Sequence, residues 1–347
     1  MDFMKRRAFL KAVGGAAGVA ALGVPQLFSA DEPLERVAGM PHRLLGRTGE
    51  RLSVVGFPGL ALIHHDQEKS TQAVHSAFER GINYFDVAPA YGNKECQAKL
   101  GIALQGIDRN KYFLSCKTKK RDADGCREEL EESLRVLKTD RFDLYQLHHL
   151  VTPAEVKQAL EPGGAMETIL KAKEQGKIKY IGFSAHTTKS ALEAMKSFKF
   201  DTVMFPINFV EYYTCGFGKE VLALANEQGA SVLAIKPISW GAWPKDAKRN
   251  RQWWYQCVEE PEDLELALRF VLSQKPVVTA IPASFLDLLD RSMDAVKKYK
   301  PLDEAATARL KEMAANRGSI FQREQDRVAM NLPHREMPYP HHPHECA

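Results

Sequence analysis

Eight apolar, strand-like runs alternate with stretches of helical spacing along most of the chain, and this alternation constrains the fold more than any other feature. Short apolar runs bounded by turn residues are typical of buried strands, and apolar residues spaced three and four apart are typical of helices. The runs are Leu52–Phe57, Tyr84–Val87, Tyr112–Cys116, Leu144–His148, Tyr180–Phe183, Thr202–Ile207, Ser231–Ile235 and Val277–Ile281. Their alternation with helical stretches predicts a parallel sheet covered by helices.

Glycines mark the ends of several predicted helices. Gly81, Gly176 and Gly229 each follow a helical stretch and precede the next strand-like run, which is where glycine commonly ends a helix. The predicted helices cover Ser70–Arg80, Glu95–Leu104, Gly125–Leu137, Met166–Gln175, Lys189–Phe198, Lys219–Gln228 and Asp263–Gln274. A chain of 347 residues is long enough for two domains. It also accommodates one (β/α)8 barrel, which takes roughly 250 residues.

The strand ends distinguish a barrel from an open, doubly wound sheet. Both folds alternate helices and strands, but in a barrel the C-terminal ends of all strands converge on one mouth, where catalytic groups gather. Polar or ionisable residues stand at the ends of several runs: Asp86, Tyr91, Lys117, His148, Ser184, His186, Asn208 and Lys236. No GxGxxG motif follows the first run, so a Rossmann cofactor site is not indicated. The sequence therefore predicts an α/β protein whose residues 41–300 form a (β/α)8, or TIM, barrel.

Residues 1–30 have the layout of an export signal. A basic segment, Lys5–Lys11, precedes the Gly- and Ala-rich stretch Ala12–Val24 and the small residues Ser29 and Ala30. The paired arginines followed by Phe-Leu-Lys resemble the twin-arginine motif, which addresses folded proteins to the bacterial exporter. The apolar stretch is shorter than the roughly 20 residues of a membrane-spanning helix. We therefore predict export to the periplasm by the twin-arginine machinery, with no stable membrane span after cleavage.

Two alternatives to a cleaved signal stay open. Phe28 fits poorly three residues before a cut after Ala30, so the segment could be retained as a membrane anchor. The same residues could also be an amphipathic or disordered start of a cytosolic protein.

Neither the net charge nor the cysteines indicate a nucleic-acid or metal-cluster protein. The chain has 48 Lys and Arg against 44 Asp and Glu, and its one notable basic run, Lys117–Arg121, is short, which favours a solvated strand end over a phosphate-binding patch. No nucleic-acid partner is expected. The cysteines contain no CxxC pair, which argues against a structural zinc or iron–sulfur site. They are Cys96, Cys116, Cys126, Cys215, Cys257 and Cys346, and disulfides among them would require an oxidising compartment.

Five segments, in order along the chain, resemble motifs of the aldo-keto reductases. They are Leu45–Gly49, Phe85–Gly92, Ser115–Lys117, Asp143–His148 and Gly182–Ser184. The resemblance extends from about Leu45 to Val296, and it implies a (β/α)8 barrel that transfers a hydride between a nicotinamide dinucleotide and a carbonyl or alcohol substrate. The catalytic tetrad of that family falls on Asp86, Tyr91, Lys117 and His148.

The chemistry of carbonyl reduction explains why such a tetrad is needed. Hydride transfer leaves a developing alkoxide that must be protonated or stabilised. Tyr91 would be the acid, and the ammonium of Lys117 would stabilise its phenolate. Asp86 would hold the lysine, and His148 would orient the substrate oxygen. Each residue alone could be a packing residue or part of a surface ion pair, but their joint appearance in matching motifs favours catalysis.

The contacts that the resemblance implies for the nicotinamide are only partly present. In the family a Ser–Asn pair after strand five and a Gln on strand six hold the carboxamide. Here Ser184 is retained, but Ala185 and Met204 stand at the other two positions. Ile235 replaces the aromatic residue that stacks on the nicotinamide ring, and Lys236 lies beside it.

The contacts to the 2′-phosphate are altered as well. The positions that usually carry cations align with Ala283 and Leu289, while Ser284 is retained, so the main reason to prefer NADPH over NADH is lost. The candidate cofactor-binding residues are Ser184, His186, Asn208, Lys236 and Ser284. His186 and Lys236 either contact the dinucleotide, or His186 caps the following helix and Lys236 is an exposed side chain. Some relatives carry a C-terminal cysteine cluster for iron–sulfur, which this chain lacks, so no such cluster is expected.

Two further segments have no counterpart among these motifs. The connection Gly241–Pro261 contains three tryptophans and a tyrosine, which is typical of a lid or substrate wall, although packing on the barrel rim would explain them equally. Residues 301–347 are predicted to form a C-terminal helix and a tail. The tail segment Pro340–Cys346 is rich in histidine, which can bind zinc or copper weakly, and no functional metal site is assigned to it.

Two functions are compatible with these features. One is an exported oxidoreductase with a small carbonyl or alcohol substrate. The other is a non-catalytic barrel that binds a ligand or partner. The intact tetrad favours the enzyme, because a binding module needs none of it, whereas the altered cofactor contacts favour the binding module.

Overall fold

Eight parallel strands form the central sheet of the computed structural model, which describes residues 34–332. The strands in chain order are β1 (Glu35–Val37), β2 (Met40–Leu44), β3 (Arg51–Ser53), β4 (Phe57–Pro58), β5 (Tyr84–Asp86), β6 (Phe113–Thr118), β7 (Phe142–Leu150), β8 (Ile178–Ala185), β9 (Thr202–Pro206), β10 (Ser231–Ile235), β11 (Ser239–Ala242), β12 (Tyr255–Cys257) and β13 (Val277–Ile281). The central sheet has the order β4-β5-β6-β7-β8-β9-β10-β13. Its edges meet where Val55 bridges Ala280 and the Gly56 N–H donates to the Ala280 carbonyl at 3.0 Å. The sheet thus closes into a barrel, and the predicted (β/α)8 fold is confirmed.

Helices follow the barrel strands and cover their outer faces. They are α1 (Gln67–Glu79), α2 (Glu95–Ala103), α3 (Ala123–Val136), α4 (Pro153–Leu160), α5 (Ala165–Glu174), α6 (Thr188–Ser197), α7 (Phe209–Thr214), α8 (Lys219–Gln228), α9 (Pro261–Ser273), α10 (Leu286–Lys297), α11 (Glu304–Ala314) and α12 (Gln322–Ala329). Side chains satisfy the first N–H groups of several helices; Asp66 caps α1, and Thr152 forms a capping box with Glu155 in α4. The barrel helices predicted from the sequence are present within three residues at each end, whereas α4, α7 and α10 are absent from that prediction.

The first predicted strand, Leu52–Phe57, is divided in the structure. Arg51–Ser53 pairs with β2 in a separate antiparallel sheet, and only Phe57–Pro58 belongs to the barrel. Gly56 lies between the two parts, where a Cβ atom would stand 2.7 Å from the ring of Tyr84. The chain therefore passes too close to β5 for a side chain at this position. Leu52–Phe57 is largely apolar throughout, so this division could not be predicted from the hydrophobic pattern.

Two apolar layers pack the barrel. One lies between the strands and the helices, and the other fills the barrel interior. Leu45 and Leu52, which flank the turn from β2 to β3, belong to the interior layer, so this hairpin closes the N-terminal end of the barrel. Burying each such side chain contributes about 1.5–3 kcal/mol. The C-terminal end of the barrel is left open to form the mouth.

Buried thiols account for most of the cysteines that the structure describes. Burial raises the pKa of Cys96, Cys116 and Cys126 to about 12, so at neutral pH these side chains are protonated and poorly reactive.

Within residues 34–332, no group of three His, Cys, Asp or Glu side chains is placed to hold a metal ion. None of the helices in this part of the chain is long and apolar enough to cross a membrane.

Two helices follow the barrel where the sequence predicts one. α11 packs beside α7, and α12 packs beside α6. The carboxylate of Glu211 in α7 holds the connection between them, because it accepts hydrogen bonds from Ser319 Oγ at 2.6 Å and from the Ile320 N–H at 2.7 Å. Phe321 then packs against the ring of His186, which brings this segment to the barrel mouth. The predicted export signal and the histidine-rich tail lie outside the described residues.

Candidate active site

Asp86, Lys117 and Tyr91 meet at the floor of the barrel mouth. Asp86 ends β5, and Lys117 lies near the end of β6, where alternate side chains face the barrel interior. Lys117 Nζ donates to Asp86 Oδ2 at 2.5 Å and to the Val87 carbonyl at 3.2 Å. Tyr91 OH donates to the same Asp86 oxygen at 3.4 Å, and the ammonium lies 5.0 Å from the centroid of the Tyr91 ring.

The Asp86–Lys117 pair is almost completely removed from solvent. The two side chains are 4% and 0% exposed. The basic run Lys117–Arg121 therefore begins with a buried lysine, which corrects the interpretation of this run as a solvated strand end. A buried charge is costly unless it is paired, and Asp86 supplies the pairing charge. The pair is thus a fixed part of the site rather than a surface ion pair.

His148 also contacts the Tyr91 ring. It is buried near the end of β7, and its ring centroid is 5.8 Å from that of Tyr91 in an edge-to-face arrangement. The backbone turns sharply after it, since His149 has a φ of 58°, a conformation that is rare outside glycine and common at functional sites. Arg121 stabilises this turn by donating to the carbonyl groups of His148 at 2.8 Å and His149 at 3.2 Å. The structure thus brings all four predicted tetrad residues together.

A cleft opens above these residues, with about 550 Å³ of empty space when the open solvent at its mouth is included. The cleft is lined by Pro58, Gly59, Leu60, Asp86, Tyr91, His148, Ser184, His186, Met204, Ile235, Lys236, Trp253, Tyr255, Ile281, Pro282, Ala283 and Ser284. The lining combines apolar and aromatic walls with a few polar groups on the floor and one side.

Four of the five predicted cofactor-binding residues line this cleft, and Asn208 does not. Ser184, His186, Lys236 and Ser284 are in the lining. Asn208 instead begins α7, where its Oδ1 accepts from the Glu211 N–H at 2.9 Å. Its amide oxygen is therefore committed to capping a helix, and a contact of Asn208 with the cofactor stays a prediction.

His186 is not a helix cap and Lys236 is not an exposed side chain, the roles that the sequence left open as alternatives to cofactor contact. Thr187, not His186, caps α6, and the His186 ring lies 4.4 Å from that of His149. Lys236 is buried, with a φ of 57°. Its ammonium lies over the rings of Trp254 and Phe321, at 5.5 and 5.8 Å from their centroids, where a cation is attracted by the ring faces. Both side chains are thus held at the cleft.

The long connection after β10, the seventh strand of the barrel, forms one wall of the cleft. Its ends pair as the hairpin of β11 and β12, and Trp253 and Tyr255 are buried as well as part of the lining. Arg251 fixes the connection to α10, because it forms ion pairs with Glu259 at 2.8 Å and with Asp287 at 2.5 Å. Trp253 and Tyr255 therefore pack on the rim and also face the cleft, and a function of this segment as a lid or substrate wall stays a prediction.

Two residues that support the tetrad are absent from the sequence prediction. Tyr84 OH donates to Asp86 Oδ1 at 3.1 Å, and Arg121 binds the backbone after His148. Tyr84 could have been found from the strand period, because residues two apart in a strand face the same side. Arg121 had no comparable signal, because its partners lie on a neighbouring strand.

The chain is similar to proteins of one enzyme family over most of its length. The sequence profile of the Aldo/keto reductase family matches residues 63–315. An NAD/NADP-dependent indole-3-acetaldehyde reductase of Schizosaccharomyces pombe is 30% identical over 206 residues, which is 56% of this chain and 69% of that protein. An L-galactose dehydrogenase of Arabidopsis thaliana is 25% identical over 214 residues, which is 57% of this chain and 66% of that protein.

Solved structures show the same fold. The aldo-keto reductase AKR11C1 from Bacillus halodurans, in its holo form, superposes with a TM-score of 0.66 at 24% identity, covering 82% of this chain and 99% of that one. The glycerol dehydrogenase AKR11B4 from Gluconobacter oxydans gives a TM-score of 0.60 at 21% identity, covering 80% and 96%. The match to the family profile covers more than half of the sequence and includes the residues of the cleft floor. The chain therefore belongs to the aldo/keto reductase family of oxidoreductases.

Proposed function

We propose that this protein reduces a carbonyl group of a small molecule, or oxidises the matching alcohol, with a nicotinamide dinucleotide as the hydride carrier. The observation that carries the proposal is the contact of Tyr91 with the buried Asp86–Lys117 pair at the floor of an open cleft. A binding module has no need of a buried ion pair beside a tyrosine hydroxyl, because desolvating two charges is costly. Carbonyl reduction needs such an acid.

Each residue of the floor has a distinct part in the proposed reaction. A bound reduced nicotinamide would supply the hydride. Tyr91 donates its hydroxyl proton to the substrate oxygen as negative charge develops there. The ammonium of Lys117, 5.0 Å from the Tyr91 ring, stabilises the resulting phenolate, and Asp86 fixes the position of that ammonium. His148, whose ring meets that of Tyr91 edge to face, orients the substrate oxygen.

The residues of the cleft can hold a dinucleotide, although with fewer polar contacts than the family usually provides. Ser184 offers a hydroxyl on the floor, and Lys236 offers a cation beside it. Within the part of the chain that the structure describes, no side chain caps the N-terminus of α10, the twelve-residue helix that follows Ser284. Such an N-terminus favours phosphate groups because its N–H groups lack intrahelical partners. Ser184 would therefore hold the carboxamide and Lys236 the diphosphate. Ser284 with the α10 N-terminus would offer neutral O–H and N–H donors, but no side-chain charge, to a 2′-phosphate.

The apolar residues at the positions for the 2′-phosphate lead to a prediction about cofactor choice. Ala283 and Leu289 are both buried and offer no charge. A charged contact to a phosphate contributes about 1.5–3 kcal/mol, so losing two removes most of the usual preference for NADPH. We expect similar affinities for NADH and NADPH, or a modest preference for NADH. Calorimetric titration of the nucleotide-free protein with each cofactor measures this.

The same titration tests the proposed function. Binding of either cofactor, followed by its oxidation on addition of aldehydes or ketones, is the expected result. A strong NADPH preference would contradict the cofactor prediction and would point to another cation, such as Lys236 or Arg291, at the 2′-phosphate. If neither cofactor binds, the protein is not an oxidoreductase of this kind, and a non-catalytic barrel becomes the better description. A Lys236→Met variant serves as a control, because it should weaken both cofactors equally if the lysine contacts the shared diphosphate.

We also propose that the enzyme is exported through the twin-arginine route. The order of residues 1–30, with paired arginines ahead of a short apolar stretch, supports this. Free pyridine nucleotide is scarce outside the cytoplasm. Because this route moves folded proteins, the enzyme would carry a tightly held cofactor across the membrane as a prosthetic group.

Replacing Arg6 and Arg7 by Lys is expected to leave the protein in the cytoplasm. Lysine keeps the charge of the segment but not the arginine pair that the twin-arginine exporter requires. Cell fractionation followed by immunoblotting, with the unchanged protein as the control, measures the distribution. If the variant still reaches the periplasm, the arginine pair is only part of the basic segment of a signal for another export route.

A further inference from the structure

Tyr84 contacts the Asp86 carboxylate from below the active-site floor. The two residues are two positions apart in β5, and both are buried inside the barrel. Tyr84 OH donates to Asp86 Oδ1 at 3.1 Å. Lys117 and Tyr91 both use the other oxygen, Oδ2, at 2.5 and 3.4 Å. The two oxygens of the carboxylate therefore have separate partners: Tyr84 contacts Oδ1, and Lys117 and Tyr91 contact Oδ2.

Further polar residues support Tyr84 from the neighbouring strands. Ser115 stands opposite Asp86 in the register between β5 and β6, and its hydroxyl accepts from Gln146 Nε2 at 2.9 Å. Burial, reinforced by the negative charge of Asp86, raises the pKa of Tyr84 well above its usual value, and the Ser115 side chain offsets this shift only in part. The Tyr84 hydroxyl thus stays protonated and remains a donor to the carboxylate. Gln146 and Ser115 make the strands beside Asp86 polar, and Tyr84 supplies the hydrogen bond to Asp86 Oδ1.

We propose that Tyr84 is a positioning residue of this active site, holding Asp86 Oδ1 so that Oδ2 faces both Lys117 and the Tyr91 hydroxyl. The inference rests on the proposed carbonyl reduction. A hydrogen bond to a carboxylate is about twice as strong as one between neutral groups. Without it the carboxylate can rotate about its Cβ–Cγ bond, and one of its oxygens loses its buried donor. The lysine and the proton-donating tyrosine then lose their fixed arrangement.

The matched pair Tyr84→Phe and Tyr145→Phe tests this proposal. Both tyrosines are fully buried, and both substitutions remove only a hydroxyl. Tyr145 lies in the outer layer, where its ring stacks on Phe142, and it has no hydrogen bond to Asp86 among the described contacts. We expect Tyr84→Phe to lower kcat on the order of tenfold, since the lost hydrogen bond is to a charged group, with KM and nucleotide affinity nearly unchanged. Tyr145→Phe should leave all three at the wild-type values.

The pH profile of kcat adds a measurement that a purely structural role would not change. Loss of the donor to Asp86 Oδ1 changes the surroundings of the carboxylate that contacts both Lys117 and Tyr91. The profile of Tyr84→Phe should therefore differ from that of the wild type, and that of Tyr145→Phe should not. A wild-type kcat and pH profile in Tyr84→Phe would overturn the positioning role and leave the proposed function standing.

Denaturant unfolding tests the contact without reference to activity. Tyr84→Phe leaves Asp86 Oδ1 buried without its donor, whereas Tyr145→Phe takes no donor from a carboxylate. The free energy of unfolding of Tyr84→Phe should therefore fall further below the wild-type value than that of Tyr145→Phe. If the wild type turns over no carbonyl, the proposed function fails, and equal free energies of unfolding in the two variants would then overturn the Tyr84 contact as well.

Discussion

Replacing Tyr91 by Phe is expected to lower kcat by roughly 10²–10⁴-fold, the contribution of a positioned general acid. Phenylalanine keeps the ring, so the edge-to-face contact with His148 at 5.8 Å and the position of the ring 5.0 Å from the Lys117 ammonium are preserved. Only the hydroxyl, which lies 3.4 Å from Asp86, is removed. Steady-state turnover of any carbonyl that the wild type accepts measures the effect.

Nucleotide titration of the same variant is the control for this prediction. The Tyr91 hydroxyl is assigned to the substrate oxygen and not to the cofactor, so the affinity for NADH or NADPH should stay at the wild-type value. Turnover equal to that of the wild type would show that another group protonates the substrate and would remove Tyr91 from the proposed mechanism. Loss of turnover together with loss of nucleotide binding would show instead that the variant disturbs the cleft.

Replacing Lys117 by Met is expected to abolish turnover and to destabilise the fold by about 3–5 kcal/mol, the usual cost of breaking a buried ion pair. The methionine fills much of the same space but leaves the Asp86 carboxylate, 4% exposed, without its cation. Turnover falls because nothing then stabilises the phenolate of Tyr91. Denaturant unfolding measures the loss of stability, and steady-state kinetics measures the loss of turnover.

A second substitution separates the two effects of Lys117→Met. Combining it with Asp86→Leu removes both buried charges, and apolar replacements of a buried pair are often neutral or stabilising. The double variant should therefore regain most of the lost stability and none of the activity. Combining Lys117→Met with Tyr91→Phe should cost little more turnover than either change alone, because the two residues act on one step. Additive losses in kcat would contradict their action as a unit.

The sequence by itself determined the type of fold and most of the elements that build it. In a (β/α)8 barrel the strands are buried on both faces and the helices on one, so each element has its own local hydrophobic pattern. That pattern is why Ser231–Ile235, Val277–Ile281 and Lys219–Gln228 have the same bounds in the prediction and in the structure. The segments of the tetrad were also recognisable, because each is a short stretch at the end of a strand.

Only the tertiary structure decided how residues from different strands support one another. The division of Leu52–Phe57 depends on the close approach of Gly56 to Tyr84, and the place of Asn208 depends on the helix that it begins. The ammonium of Lys236 lies over two aromatic rings, and one of these belongs to Phe321. Phe321 lies between α11 and α12, far along the chain from Lys236. Such contacts join residues far apart in the chain, and a single sequence carries no local signal for them.

The support of the Asp86 carboxylate combines both kinds of information. That Tyr84 and Asp86 face the same side of β5 follows from the two-residue period of a strand. That the Tyr84 hydroxyl reaches Oδ1 while Lys117 takes Oδ2 depends on how β5 and β6 are placed in the closed barrel. Local pattern determines which way a side chain points, whereas the packing of the whole barrel determines what it meets there.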